Sequence, residues 1–177
     1  MREWLRIPVY LLFVFTACYV GTFFLSAQVD AGYDDGLYIY QPEDEKAEAE
    51  ALKKHASVAK RKGKILTLSL TSGKPVSLRN KDSCKGYEDC EFYLFNGLLP
   101  GGQFFVVNQC LWEGSNVYLI SVNTGTRYEV YAEPHISPDG KHIASANPSE
   151  AYNINGVFLW EIKNGSLIQR FHFEPSD

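Results

Sequence analysis

From residue 64 onward, apolar and polar positions alternate in short runs separated by glycine-containing turn signals. Alternation with a period of two is typical of β-strands that bury one face. Each turn glycine can adopt the positive φ that a tight hairpin requires. The turn signals are Thr71-Ser72-Gly73, Pro100-Gly101-Gly102, Asn123-Thr124-Gly125, Pro138-Asp139-Gly140 and Lys163-Asn164-Gly165. The pattern therefore predicts antiparallel strands connected in a meander.

The strand pattern also repeats along the chain, with offsets of 38 residues for the first half of the pattern and 40 for the second. The matching segments are Leu98–Phe105 with Ile136–Ile143, then Val117–Gly125 with Val157–Gly165, and the second pattern occurs once more at Ile65–Gly73. A period near 40 residues is typical of four-stranded β units, each of which needs a neighbour to cover its apolar face.

The repeat predicts two complete units and one partial unit. A half unit covers residues 64–78, the first full unit covers residues 91–130, and the second covers residues 131–173. The third strand of each full unit carries the expected core positions, because branched apolar residues recur there. These positions are Val117, Leu119, Val157 and Leu159.

The last unit resembles a blade of the WD40 or TolB-like β-propellers. The resemblance rests on Ser137-Pro138-Asp139-Gly140-Lys141 and on the strand and turn from Gly156 to Gly165. It implies an all-β fold of antiparallel, four-stranded, propeller-blade-like repeats, and a role in interaction or scaffolding rather than in chemistry. A propeller closes with at least about four blades, so these repeats predict a partial propeller or a sandwich-like arrangement. Its open faces would be covered by a helix, by each other, or by another chain, including a second copy.

The N-terminal segment predicts export. Residues 7–29 contain no charged side chain, and Arg2 and Arg6 precede them. We interpret residues 1–27 as a signal peptide or a membrane anchor, because an uncharged run of this length suits either role. The remaining chain would then be periplasmic or otherwise extracytoplasmic, and residues 7–29 would hold it at the membrane if they are not cleaved.

Residues 28–63 are predicted to form a linker and one charged helix. Acidic residues follow Pro42, basic residues follow them, and Gly63 closes the segment, in the order that complements a helix dipole. The segment has two interpretations. Its basic side near Lys53–Lys64 would contact lipid head groups, or the helix would be solvated and would cover the edge of a sheet.

Cysteine chemistry follows from the predicted compartment, because an oxidising environment allows disulfides. Cys84 and Cys90 flank a polar segment with a glycine, and we predict a disulfide between them. Cys110 lies in a strand-like run and is predicted to be a buried thiol. No spacing of cysteine and histidine in the sequence suits a zinc site, so neither a metal nor another cofactor is expected.

The connection between the second and third strands of each unit supplies the candidate binding residues. Each connection contains an aromatic residue and an acid, and loops at one end of adjacent blades lie side by side. Exposed aromatic residues of this kind are frequent binding anchors, although the same rings can instead cover the end of the core. The candidates for partner binding are Trp112, Glu113, Glu150, Tyr152 and Asn153.

Charge and side-chain chemistry narrow the function further. The net charge is −4, and no basic cluster lies on the repeats, which argues against nucleic acid as a partner. Ser137, Asp139 and His142 all belong to one turn and its flanking strand, so we expect no catalytic triad there. The sequence therefore predicts a non-enzymatic, exported protein-interaction module whose partner is another envelope or extracellular protein. The alternative is an exported inhibitor or immunity-type protein that blocks an enzyme with an inserting loop.

Overall fold

The described part of the chain contains one helix and three β-sheets. The computed structural model describes residues 42–81, 90–111, 114–148 and 154–175. Helix α1 spans Pro42–Lys54. The strands are β1 Ala59–Lys62, β2 Ile65–Ser69, β3 Pro75–Arg79, β4 Glu91–Leu98, β5 Phe104–Leu111, β6 Gly114–Ser121, β7 Arg127–Glu129, β8 His135–Ile136, β9 His142–Asn147, β10 Gly156–Lys163 and β11 Ser166–Phe173.

All three sheets are antiparallel meanders in which each strand pairs with its neighbour in the chain. Sheet 1 contains β1–β3, sheet 2 contains β4–β7, and sheet 3 contains β8–β11. The predicted antiparallel, mostly β architecture is confirmed, and the two predicted full units coincide with sheets 2 and 3. The predicted turns also form, and the glycines in them have the positive φ that tight hairpins require. Sheet 1 contains one strand more than the predicted half unit, since β1 precedes it.

Sheet 2 is packed on both of its faces. Alternate residues of its strands point to opposite sides, so Phe105 and Ile120 pack against sheet 1 while Phe104 and Leu119 pack against sheet 3. All four side chains are fully buried. The apolar core therefore consists of two layers, one on each side of the central sheet.

Sheets 1 and 2 also meet through the turn between β6 and β7. A Cβ atom on Gly125 would lie 2.9 Å from side-chain carbons of both Leu70 and Val76 in the sheet 1 segment. The residue also has a φ of +75°, which side chains other than glycine rarely tolerate. Glycine is therefore required here for two reasons, the shape of the turn and the close approach of the two sheets.

The predicted end of the charged helix is wrong. Helix α1 ends at Lys54, with acidic residues in its first turn and basic residues in its last, and strand β1 begins at Ala59. The strand forms because Lys60 pairs with Thr67 of β2, and Gly63, with a φ of +54°, lies in the hairpin between the two strands. The basic run is therefore part of a sheet, and the β region begins before residue 64.

Helix α1 covers the outer edge of β4, in agreement with one of the two sequence interpretations. Glu48 is buried, and its Oε1 accepts a hydrogen bond of 2.8 Å from the backbone N–H of Phe95. Nε of Arg61 donates to Oε2 of the same carboxylate at 2.7 Å, and its Nη2 donates to the backbone oxygen of Tyr93. Asn80 accepts the N–H of Tyr93 at 3.0 Å. Side chains thus satisfy backbone groups that an unpaired edge strand would leave exposed.

The core predicted for the third strands is correct in sheet 2 and incorrect in sheet 3. Val117 and Leu119 are buried, whereas Val157 is 45% exposed and Leu159 is half-buried. In β10 the buried residues are instead Phe158 and Trp160, which point toward sheet 2. Val157 and Leu159 point away from sheet 2, to a side where no other described element packs.

The predicted export segment, residues 1–27, lies outside the described residues, as does the linker that precedes Pro42. Within the ranges that the structure describes, no helix is both long enough and apolar enough to span a membrane.

Candidate functional site

Polar side chains gather at one end of sheet 2, on the face that looks toward sheet 1. The strand register places Tyr93 beside Gln109 and Gln109 beside Asn116, while Tyr118 follows two residues later on the same face of β6. Glu91 and Arg127 border this group on β4 and β7. Sheet 1 covers the other end of this face with its apolar side chains. We call these six residues the tyrosine–arginine cluster.

The hydrogen bonds of the cluster converge on two acceptors, the carboxylate of Glu91 and the side-chain oxygen of Gln109. Glu91 Oε1 accepts from the hydroxyl of Tyr93 and from Nε2 of Gln109, both at 2.6 Å. Gln109 Oε1 in turn accepts from Nδ2 of Asn116 at 3.1 Å and from the hydroxyl of Tyr118 at 3.0 Å. Both functional atoms of Gln109 are thus engaged, which orients the amide and links β4, β5 and β6.

Arg127 lies against two aromatic rings of the cluster. Its guanidinium carbon is 5.1 Å from the ring centroid of Tyr118 and 5.8 Å from that of Tyr93. Both distances suit a cation–π interaction. The arginine side chain itself is exposed, so a planar cationic group is held in a defined orientation while it remains accessible to solvent.

The environment shifts the ionisation of the cluster. The hydrogen bond from Tyr93, ahead of that from Gln109 and the charge of Lys81, holds the pKa of Glu91 below its usual value. Burial, more than any neighbouring charge, raises the pKa of Tyr93 and of Tyr118. At neutral pH the acid is therefore ionised and both tyrosines keep their protons, which the observed hydrogen bonds require.

Glu129 pairs with Tyr118 across β6 and β7, and burial raises the pKa of its carboxyl group. The side chain lies on the same face as the cluster, next to Arg127 along β7. The face that carries the cluster therefore holds two acids, Glu91, which is hydrogen-bonded, and Glu129, which is partly desolvated.

The five residues predicted to bind a partner lie outside the described residues. They are Trp112, Glu113, Glu150, Tyr152 and Asn153. The described residues that flank the first pair, Leu111 and Gly114, face each other at the same end of sheet 2 as the cluster, where they are also in register with Glu91. The cluster is therefore adjacent in the strands to the positions of Trp112 and Glu113, whereas Glu150, Tyr152 and Asn153 belong to the connection between β9 and β10.

Two of the three cysteines beyond the predicted export segment, Cys90 and Cys110, lie within the described residues. Cys90, which immediately precedes β4, is disulfide-bonded. Cys84, its predicted partner, lies outside the described residues. The prediction for Cys110 is confirmed, because it is a buried thiol within β5.

Hydrogen bonds within the Ser137–His142 turn fix its side chains. Asp139 Oδ1 accepts a hydrogen bond of 2.6 Å from Ser137 Oγ, and Ser137 Oγ accepts from the backbone N–H of His142 at 3.0 Å. The serine hydroxyl is thus oriented by the turn itself rather than by a histidine ring. Across the described ranges, no group of three or more histidine, cysteine, aspartate or glutamate side chains is arranged to hold a metal ion.

Sequence reasoning missed the tyrosine–arginine cluster. A usable signal was present, since Gln109 and Asn116 interrupt the apolar alternation of β5 and β6 at positions that share a face with buried residues. Polar residues at such positions indicate a hydrogen-bonded network. The arrangement is suited to recognition, because it presents a cation, aromatic rings and oriented amides together.

Comparison of the chain with protein-family models, with curated proteins and with solved structures found no match.

Proposed function

We propose that this protein is a non-enzymatic protein-interaction module, exported to the periplasm or another extracytoplasmic compartment. Its partner is another envelope or extracellular protein, which it contacts through the tyrosine–arginine cluster and the adjoining loops. The orientation of Arg127 over Tyr93 and Tyr118 carries the proposal. Tyrosine and arginine are enriched among the residues that dominate binding energy at protein interfaces.

Preorganisation supports this role for the cluster. Ordering side chains on binding costs free energy, so groups already held by hydrogen bonds lose less freedom when a partner arrives. Gln109 and Glu91 fix the hydroxyls of both tyrosines, while Arg127 remains exposed and offers donors to a carboxylate or a carbonyl oxygen.

We further propose that sheets 2 and 3 are WD40-like propeller blades. Each is a four-stranded meander, and a turn with proline and glycine joins its first two strands. Consecutive sheets pack face to face through an apolar layer, as blades do. A blade array presents its strand connections at two ends, which suits the binding of partners through loops.

The test is affinity capture from the envelope fraction of the source cells with the full chain as bait. We expect one partner to be retained by the wild type and reduced at least about fivefold by Arg127→Ala, because the loss of an anchoring arginine that costs about 1 kcal/mol or more lowers affinity by that factor. Trp112→Ala and Tyr152→Ala test the adjoining loops. The matched control is Lys60→Ala, which removes an exposed cation from the outer side of sheet 1. Equal capture by Arg127→Ala and the wild type would refute the proposed site.

Export has a separate test. Alkaline phosphatase fused after residue 177 folds only where its disulfides can form, so it reports the compartment of the C-terminus. We expect an active fusion, and deletion of residues 1–27 should abolish the activity. An inactive fusion that is made at normal levels would contradict export.

A second candidate function is the exported inhibitor or immunity-type protein. It is favoured by the disulfide at Cys90, which constrains the chain directly before β4. A constrained segment suits insertion into an enzyme. Under this alternative, Cys84→Ser with Cys90→Ser would abolish capture of a single enzyme, whereas Arg127→Ala would leave it unchanged.

A further inference from the structure

One side of sheet 3 points away from sheet 2, and its centre is apolar. The strand register assigns these side chains to one face, because paired residues in adjacent strands share a side. They are Ala144, Ala146, Val157, Leu159, Ile168, Phe171 and Phe173. We call this surface the open face. Phe171 and Phe173 are 51% and 52% exposed, more than any other large apolar side chains in the described residues.

The open face repeats a face that is covered elsewhere in the molecule. Val157 and Leu159 correspond by the repeat to Val117 and Leu119, which sheet 3 buries against sheet 2. Phe173 pairs with Val157 just as the fully buried Val130 bonds to the backbone of Val117. The open face therefore has the sequence and register of a sheet that packs against another sheet.

The opposite end of the stack differs in chemistry. The outer side of sheet 1 is polar, and three of its residues are cationic. Its members are Lys60, Lys62, Ile65, Thr67, Ser69, Pro75, Ser77 and Arg79. A polar outer surface is how terminal repeats of stacked β units remain soluble. Among the described residues the array is thus capped at sheet 1 and uncapped at sheet 3, so a second array joined at sheet 3 would have polar surfaces at both ends.

The open face carries one ion pair and one further cation, Lys163, which follows Glu161 on the same side of β10 and is exposed beside the turn to β11. Arg170 Nε donates to Oε2 of Glu161 at 2.8 Å, so the two charges compensate each other within one chain. Under a two-fold axis, each copy contributes one carboxylate and one guanidinium. No excess of like charge from this pair then opposes association.

We propose that the open face of sheet 3 is the interface with a second copy of this chain, packed face to face about a two-fold axis. The three long strands β9–β11 span roughly 14 Å by 26 Å, or about 360 Å² in projection for each copy. Side chains that stand up from the sheet enlarge the accessible area, which still falls at the low end for specific dimers. We therefore expect dissociation constants on the order of 10 μM.

The first experiment measures association of the full chain in detergent micelles by sedimentation velocity, from about 1 to 200 μM. The wild type is expected to convert from monomer to dimer across this range. Phe173→Asp and Val157→Asp should each raise the dissociation constant at least about a hundredfold, because each would bury an unpaired carboxylate of both copies in an apolar contact. Both residues are about half exposed within one chain, and near-UV circular dichroism confirms that each variant folds. Ser77→Asp, on the polar outer side of sheet 1, should leave association unchanged.

The second experiment locates the contact by cross-linking, with Cys18→Ser in every variant. Leu159→Cys places a thiol on the central strand of the open face, and Thr67→Cys places a matched thiol on the middle strand of sheet 1. Both positions are half-buried. Mild oxidation should give a covalent dimer with Leu159→Cys and none with Thr67→Cys.

Three results would overturn the proposal. They are a wild-type chain that stays monomeric at about 200 μM, far above the expected dissociation constant, a dimer that tolerates both aspartate variants, and cross-linking that is no greater at residue 159 than at residue 67. A monomer whose open face is protected from solvent by residues 1–41 would give the first of these results. Because Arg127 lies on sheet 2, the dimer and the proposed partner site can fail independently.

Discussion

The two ends of the sheet stack bury equivalent ion pairs to very different extents. At the sheet 1 end, Arg61 pairs with the buried Glu48, and both also bond the backbone of β4. At the sheet 3 end, Arg170 pairs with Glu161 on an exposed surface, and in the hydrogen bonds described neither side chain bonds to the backbone. The first pair bonds backbone groups of β4 that no neighbouring strand pairs with. The second pair only neutralises charge on a face that no described element covers. An arginine–glutamate pair therefore covers the edge of the central sheet in one place and lies on an exposed face in the other.

The largest effect is expected at the closed end. Glu48→Gln should lower the free energy of unfolding by about 3 kcal/mol, because it leaves the half-buried charge of Arg61 without its carboxylate. Urea unfolding of the monomer measures the change. Glu50→Gln, exposed on the same helix, is the matched control and should have almost no effect. If both variants unfold alike, the helix does not stabilise the edge of β4.

Two leucines at equivalent repeat positions give the next largest effect. Leu119→Ala should cost about 3 kcal/mol, since the side chain is fully buried between sheets 2 and 3. Leu159→Ala should cost less than about half of that at micromolar or lower concentrations, because no element in the described part of the chain covers the open face of a monomer. The difference should narrow as concentration rises and dimers form. Equal costs at all concentrations would show that the open face is covered within one chain.

A smaller change in stability is expected from the tyrosine–arginine cluster on sheet 2, the central sheet of the stack. The pKa of Glu91 is lowered in the folded protein, chiefly by the hydrogen bond from Tyr93. Its contribution to stability is therefore present above the unfolded-state pKa, near 4.5, and is lost as the pH falls through the folded value. Below about pH 5, the unfolding free energy of Glu91→Gln should fall less steeply with falling pH than that of the wild type. Parallel pH profiles of the two proteins would contradict this assignment.

The smallest effect is expected from the exposed ion pair. Glu161→Gln should leave the urea midpoint of the monomer unchanged, because solvent and salt already weaken the pair. The measurement is made beside Glu48→Gln, which alters the same residue type in the same kind of pair. A destabilisation comparable with that of Glu48→Gln would mean that the two ends are equally closed.

Most of the secondary structure in the described residues was predictable from local pattern. The turns at Gly73, Gly140 and Gly165 follow from local backbone chemistry, because glycine tolerates the positive φ that each hairpin requires. The repeat then located both full sheets. The end of helix α1 was not predictable in the same way, since Lys60 and Lys62 complement a helix terminus in sequence but alternate with Ala59 and Arg61 across a strand. Pairing with β2 makes this segment a strand rather than the end of the helix.

The candidate site depended on contacts between strands that are distant in sequence. Tyr93 and Gln109 stand sixteen residues apart, and only the register of β4 with β5 brings them side by side. In the sequence, neither residue differs from other residues of an ordinary strand. The orientation of Arg127 above two rings likewise requires the strand order β4-β5-β6-β7, which brings residues of β4, β6 and β7 onto one face.

The amino-acid sequence by itself determined the strands, their turns and which side of each strand is apolar, because these depend on neighbouring residues and on a period of two. Only the tertiary structure decided which apolar sides are covered. Val117 and Val157 occupy the same place in the repeat, yet one is buried and the other is 45% exposed. Burial depends on the presence of a facing sheet, and a local pattern contains no information about how many sheets the stack holds.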